Sequence, residues 1–138
     1  MTIIKKRTIM EFDLKSGINY TASQKVSYAD TAAKYGSGLV EVFATPAMIA
    51  LMENAALKTV LPYLGDEHNT VGFEVNVKHL KPTPVGMTVE CKATLIEVDG
   101  KKLVFKVEAS DEEGKIGEGT HTRYIINAKK FMDKLNQK

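Results

Sequence analysis

A carboxylate, an imidazole and a hydroxyl stand out in this 138-residue chain as a set able to move protons. Glu53 interrupts "ATPAMIALMENAALKTVLPYL", residues 44–64, which otherwise reads as a helix apolar almost all round. Its helix neighbours three and four positions away, Ile49, Ala50, Ala56 and Leu57, are all apolar, so no local ion pair serves it. Either Glu53 reaches solvent or another part of the chain needs it. His79 shares parity with Val71, Phe73, Val75 and Val77, which places it at the end of a row expected to face the helix. Thr45 stands at the helix entry, and the stretch from residue 45 to residue 53 rises about 12 Å. Within one subunit Thr45 and Glu53 need not touch, whereas across a dimer interface such positions can meet. Taken singly, each residue also has a structural account: Glu53 as a solvated side chain, His79 as a satisfied strand end, Thr45 as an N-cap.

Other candidates carry less. His68 in "GDEHNT" reads as part of a polar loop, solvated. His121 and Arg123 share a strand face and could hold a phosphate, with a surface pair as the plainer account. Cys91 lies in an alternating apolar row and reads as core. "EEGKIGEG" lacks the pattern and strand-to-helix setting of a nucleotide loop. No cluster of histidines and carboxylates has metal-ligand spacing, so neither a metal nor a cofactor is expected.

The elements that must position these groups follow from periodicity. "RTIMEFDL" alternates like a strand, and "SYADTAAKYGSG" reads as a short helical turn ending in a glycine-rich loop. Pro46 suits the first turn of the long helix, with Thr45 as its N-cap, and Pro62 marks its end. The period then changes to two. "TVGFEVNVKHL", "MTVECKATL" and "KLVFKVEAS" each alternate apolar with polar residues, as strands with one buried face do. Asp99-Gly100 predicts a hairpin, and "IGEGTHTRYII" a fourth strand with a bulge or a close backbone approach at its glycines. "AKKFMDKLN" predicts an amphipathic tail helix. The sum is an α+β fold of hotdog type, an antiparallel sheet wrapped around one long central helix, in one domain over residues 1–138. Such a sheet with an open edge predicts a homodimer, with a dimer of dimers as a further option.

Composition sets the class. A hydrophobic fraction of 43% with 26% charged residues is that of an ordinary globular chain. A net charge of +2, scattered rather than striped, argues against nucleic acid as a partner. No apolar run has the roughly 18–20 residues that span a bilayer, and the N-terminus lacks the pattern of a signal peptide. One cysteine excludes an internal disulfide. The expectation is a cytoplasmic protein without a membrane partner.

Three blocks carry a resemblance: "EVFATPAMIALMENAALKTVLPYL", "TVGFEVNVKHLKPTPVGMTV" and "GKIGEGTHTRYIINAKKF". Over roughly residues 5–135 the chain resembles the fluoroacetyl-CoA thioesterase-like family of hotdog proteins. The resemblance implies an acyl-CoA thioesterase with active sites at a homodimer interface and catalytic residues at Thr45, Glu53 and His79. A functional glycine of the family falls on Gly72. The helix-start N–H of Ala47, the first after Pro46, is a natural oxyanion donor, and Arg123 is a further candidate for substrate contact. The fluoroacetyl-specific member carries aromatic residues just before V-F-A-T. Here Gly36 and Leu39 occupy those places, with Tyr35 nearby, so Leu39 is expected beside a different short or medium acyl group. A non-catalytic acyl-CoA-binding module and a hydratase-like hotdog enzyme are the alternatives.

Overall fold

The computed structural model describes residues 12–137. Five strands form one antiparallel sheet in the order β1-β3-β4-β5-β2. They are β1 (Asn19–Lys25), β2 (His68–His79), β3 (Thr88–Asp99), β4 (Lys102–Asp111) and β5 (Gly114–Asn127). Three helices accompany them: the short α1 (Ala32–Tyr35), the long α2 (Thr45–Val60) and the tail helix α3 (Ala128–Asn136). This is the expected α+β arrangement, with the sheet laid around α2.

The core sits between α2 and the inner face of the sheet. Ala47, Met48, Leu51, Met52, Ala55, Ala56, Thr59 and Val60 are buried, a helical stripe aimed at the sheet. The sheet answers with Val89, Cys91, Ala93 and Leu95 of β3 and Leu103, Phe105, Val107 and Ala109 of β4, all wholly buried. Alternation in β3 and β4 therefore reads as expected. The hairpin between them turns at Gly100, whose φ of 61° suits a residue without a Cβ. Two glycines of β5, Gly117 and Gly119, mark close approaches. A Cβ on Gly117 would lie 2.5 Å from the Met48 sulfur, and one on Gly119 would collide with the Asn76 carbonyl.

Three expectations need correction, and a fourth falls mostly outside the described residues. The N-cap of α2 is Ala44, and Thr45 is the first helical residue, which frees its side chain for other work. β2 does not present one buried row: the register shifts between Gly72 and Glu74, leaving Phe73 unpaired and 68% exposed. Thr70 and Gly72 therefore share the inner face with Val75, Val77 and His79, while Val71 and Phe73 turn outward, where Phe73 packs edge-on against Tyr124. His68 is not in a loop but opens β2, its ring 5.0 Å from that of Phe12. The strand expected at "RTIMEFDL" lies largely outside the described residues, and Phe12–Leu14 adopt no strand. Further along the chain, β1 pairs with β3.

Candidate active site

Thr45 is delivered by the segment just before α2. Phe43 N–H donates to Thr83 O and Ala44 N–H to Asp30 O, both at 2.8 Å, so the helix entry is clamped between two loops. Pro46 follows, and the helical ladder begins with Met48 N–H donating to Ala44 O at 2.9 Å. The buried Ala47 thus holds its N–H ahead of that ladder. His79 is delivered by the end of β2, where it pairs with Gly117, and the next residue anchors the exit, Leu80 N–H donating to Ile116 O at 2.7 Å.

The two elements bring Thr45 Oγ1 to 2.7 Å from His79 Nδ1. Burial holds this imidazole below its ordinary value of 6.5, with the nearby Lys81 backbone pulling the other way. His79 Nε2 is buried and has no hydrogen-bond partner among the described residues. The pair borders a cavity of about 430 Å³, also lined by Ala32, Ser37, Leu80 and Pro82. A neutral imidazole against a hydroxyl, with its second nitrogen unpartnered, can take a proton from one group and orient another.

Glu53 stands elsewhere. It borders a second open cavity, also of about 430 Å³, with Thr70, Gly72 and Arg123. Gly72 leaves the carboxylate its room: a Cβ there would lie 3.0 Å from Glu53 Oε2, 3.4 Å from His121 Cε1 and 3.5 Å from Arg123 Nη1. Behind the carboxylate, Arg123 Nε donates to Thr70 Oγ1 at 2.7 Å and its Nη2 to Thr70 O at 2.9 Å. Arg123 Nη1 donates to His121 Nε2 at 3.1 Å. A guanidinium only donates, so His121 Nε2 accepts and its Nδ1 carries the proton that goes to Glu74 O at 2.8 Å. Burial lowers the His121 pKa first and the Arg123 charge adds to that, opposed by the hydrogen bond to Glu74 and by Glu53.

The chain matches the model of the family described as fluoroacetyl-CoA-specific thioesterase over residues 26–129. It is 42% identical to the fluoroacetyl-CoA thioesterase of Streptantibioticus cattleyicolor over 98 residues, 71% of this chain and 70% of that one. The chain belongs to this family.

As a family member it is a thioester hydrolase, and its fold agrees. A solved fluoroacetyl-CoA thioesterase superposes with a TM-score of 0.85 at 35% identity, covering 91% of this chain and 97% of that one. A thioesterase superfamily member from Thermus thermophilus does so with a TM-score of 0.82 at 28% identity, covering 89% and 91%. Among the positions singled out in this thioesterase, Thr45 and His79 come together, and Glu53 and Gly72 form a second group with Arg123. Leu39 is 98% exposed on the loop after α1. His121 and Arg123 are not a surface pair, being only 1% and 7% exposed. The residue sequence reasoning missed is Thr70, a buried hydroxyl that holds Arg123. Its signal was even spacing from Gly72, masked by the apolar residues at odd positions.

Proposed function

We propose that the chain is an acyl-CoA thioesterase, a single hotdog domain acting as a homodimer, in which Thr45 and His79 of one protomer work with Glu53 of a second copy. The observation that carries this reading is the split of the set: one open cavity holds the Thr45–His79 pair, and a separate open cavity holds Glu53. A site shared between two copies would complete both. The edge position of β2, with 12 residues and with Phe73 and Val75 exposed, supports strand-to-strand pairing with that copy.

In this mechanism Glu53 either activates a water or attacks the thioester carbonyl. The Ala47 N–H receives charge developing on the carbonyl oxygen, beside Gly72, whose lack of a Cβ keeps the approach open. The Thr45 hydroxyl and the His79 imidazole orient the reacting groups and return a proton to the departing CoA thiolate. Two of the relatives named above are fluoroacetyl-CoA thioesterases, and another solved structure of that enzyme, a variant, is in complex with acetyl-CoA. For this chain the exposed Leu39, in a segment before V-F-A-T that carries Tyr35 as its one aromatic residue, favours a short or medium acyl-CoA other than the fluoroacetyl ester. The unbridged Cys91 agrees with a cytoplasmic setting.

Thiol release across a panel of acyl-CoA chain lengths tests the activity. Binding without release would point to an acyl-CoA-binding module, and hydration of an enoyl-CoA to a hydratase. Subunit mixing tests the sharing. Inactive Glu53→Gln and inactive His79→Ala proteins, refolded together, should recover about a quarter of wild-type activity, because half the dimers then hold one intact site. No recovery in proven mixed dimers would show that each protomer carries its own site.

A further inference from the structure

Arg123 is a buried charge without an ion-pair partner among the described residues. Its three hydrogen bonds go to neutral acceptors, Thr70 Oγ1, Thr70 O and His121 Nε2. The ion pairs among the described residues do not include it. A buried guanidinium held only by neutral groups is costly unless a negative charge stands near. The carboxylate that stands near is Glu53, whose charge acts on both Arg123 and His121.

The geometry selects one atom. Three of the five guanidinium N–H groups are used, which leaves one on Nη1 and one on Nη2. Nη1 and Glu53 Oε2 both border the empty methyl position of Gly72, at 3.5 Å and 3.0 Å from it. Thr70 grips the other side of the fork and His121 its end. His121 is in turn fixed by Glu74 O, the carbonyl that follows the unpaired Phe73. The guanidinium is therefore held by two strands, whereas Glu53 makes no side-chain hydrogen bond or ion pair among the described residues.

We propose that Arg123, seated by Thr70 and His121, is a positioning residue that aims the Glu53 carboxylate rather than a contact to substrate. This rests on the thioesterase reading, in which Glu53 is the working carboxylate. The chain of support runs from the bulge in β2 through the Glu74 carbonyl, the single His121 tautomer and the Arg123 fork to Glu53. Arg123 holds the carboxylate over Gly72, facing the opening where the second copy's Thr45 and His79 would arrive.

The test compares wild type with Arg123→Gln and Arg123→Lys in steady-state thiol release. Arg123→Gln should lower kcat by about thirtyfold or more and leave KM within about threefold. Arg123→Lys should regain most of that loss. A loss confined to KM would make Arg123 a substrate contact, and an unchanged kcat would remove it from the site; either overturns the proposal. If Arg123→Gln does not fold, Thr70→Val takes its place, since it removes the Nε acceptor with little change of shape. A fall in kcat of about threefold or more at constant KM is then expected, and an unchanged kcat overturns the proposal. A thermal double-mutant cycle between Arg123→Gln, or Thr70→Val in its place, and Glu53→Gln needs no turnover. Non-additive midpoints are expected, and additive ones would overturn the coupling. Absence of thiol release by wild type with non-additive midpoints would sink the thioesterase reading alone.

Discussion

Thr45 Oγ1 lies 2.7 Å from His79 Nδ1, joining the first residue of α2 to the last residue of β2. The contact exists because Ala44, not Thr45, caps the helix. Removing the hydroxyl should cost activity more than stability. Thr45→Ala is expected to lower kcat by about a hundredfold, and Thr45→Ser to stay within about tenfold of wild type. Equal kcat for the Ala variant and wild type would take the hydroxyl out of the reaction.

Glu53→Gln should fold and associate as wild type does, because the amide fills the same space over Gly72. Turnover is expected to drop by about a thousandfold. A Gln variant hydrolysing acyl-CoA at the wild-type rate would remove Glu53 from the mechanism.

Stability should fall on mild acidification. His121 is buried as a neutral imidazole with its pKa lowered from 6.5. The unfolded chain therefore binds a proton that the folded chain resists. Its contribution is fully present above about pH 6.5 and is lost as the pH falls below that, with a slope of at most about 1.4 kcal/mol per pH unit. Protonation would also set an Nε2–H against Arg123 Nη1. The His79 pKa is lowered in the same direction, mainly by burial. Thermal melts between pH 5 and pH 8 should show the fall in wild type and a shallower one in His121→Gln. Equal slopes would exclude His121 as its source.

Gly117→Ala should destabilise by about 1–3 kcal/mol, since the new methyl meets Met48 Sδ at 2.5 Å and the Lys78 carbonyl at 3.0 Å. Gly119→Ala should do worse, because its obstacle is the backbone of the neighbouring strand. Denaturant melts rank the two, and the opposite order would show that β2 yields more readily than Met48.

Cys91 should stay silent towards thiol reagents while the protein is folded. Its side chain is wholly buried and its pKa is pushed up to about 12, mainly by burial. A disulfide reagent should report one thiol per chain only after denaturation, so thiol release by substrate can be read without background. Fast labelling of native protein would contradict the packing of β3.

How much of this was legible in the sequence depended on whether local pattern and tertiary setting agreed. β3 and β4 are buried on one face along most of their length, and their alternation shows it. β1 buries only Ala22, so "NYTASQK" carries no periodic signal and its pairing with β3 decides it. β2 misled because a bulge exchanges the faces midway, and Val71 and Phe73 continue the apolar alternation on the wrong side. His121 and Arg123 share parity with the buried Ile125, but Tyr124 and Ile126 are apolar too, so neither face of β5 declared itself. The three catalytic candidates were visible as residues. The grouping of Glu53 with Arg123 rather than with His79 was not, because it depends on which strand lies beside the middle of α2.

The unpaired Phe73 has a meaning for how this chain can change. Gly72 and His79 are an odd number of positions apart, and an uninterrupted strand would send them to opposite sides. The extra residue works as a phase shifter, bringing both to the side where α2 lies. Replacing Phe73 should therefore be tolerated, while deleting it would turn every later side chain of β2 over and carry His79 away from Thr45. Variation at this point of the chain is free in kind and fixed in number.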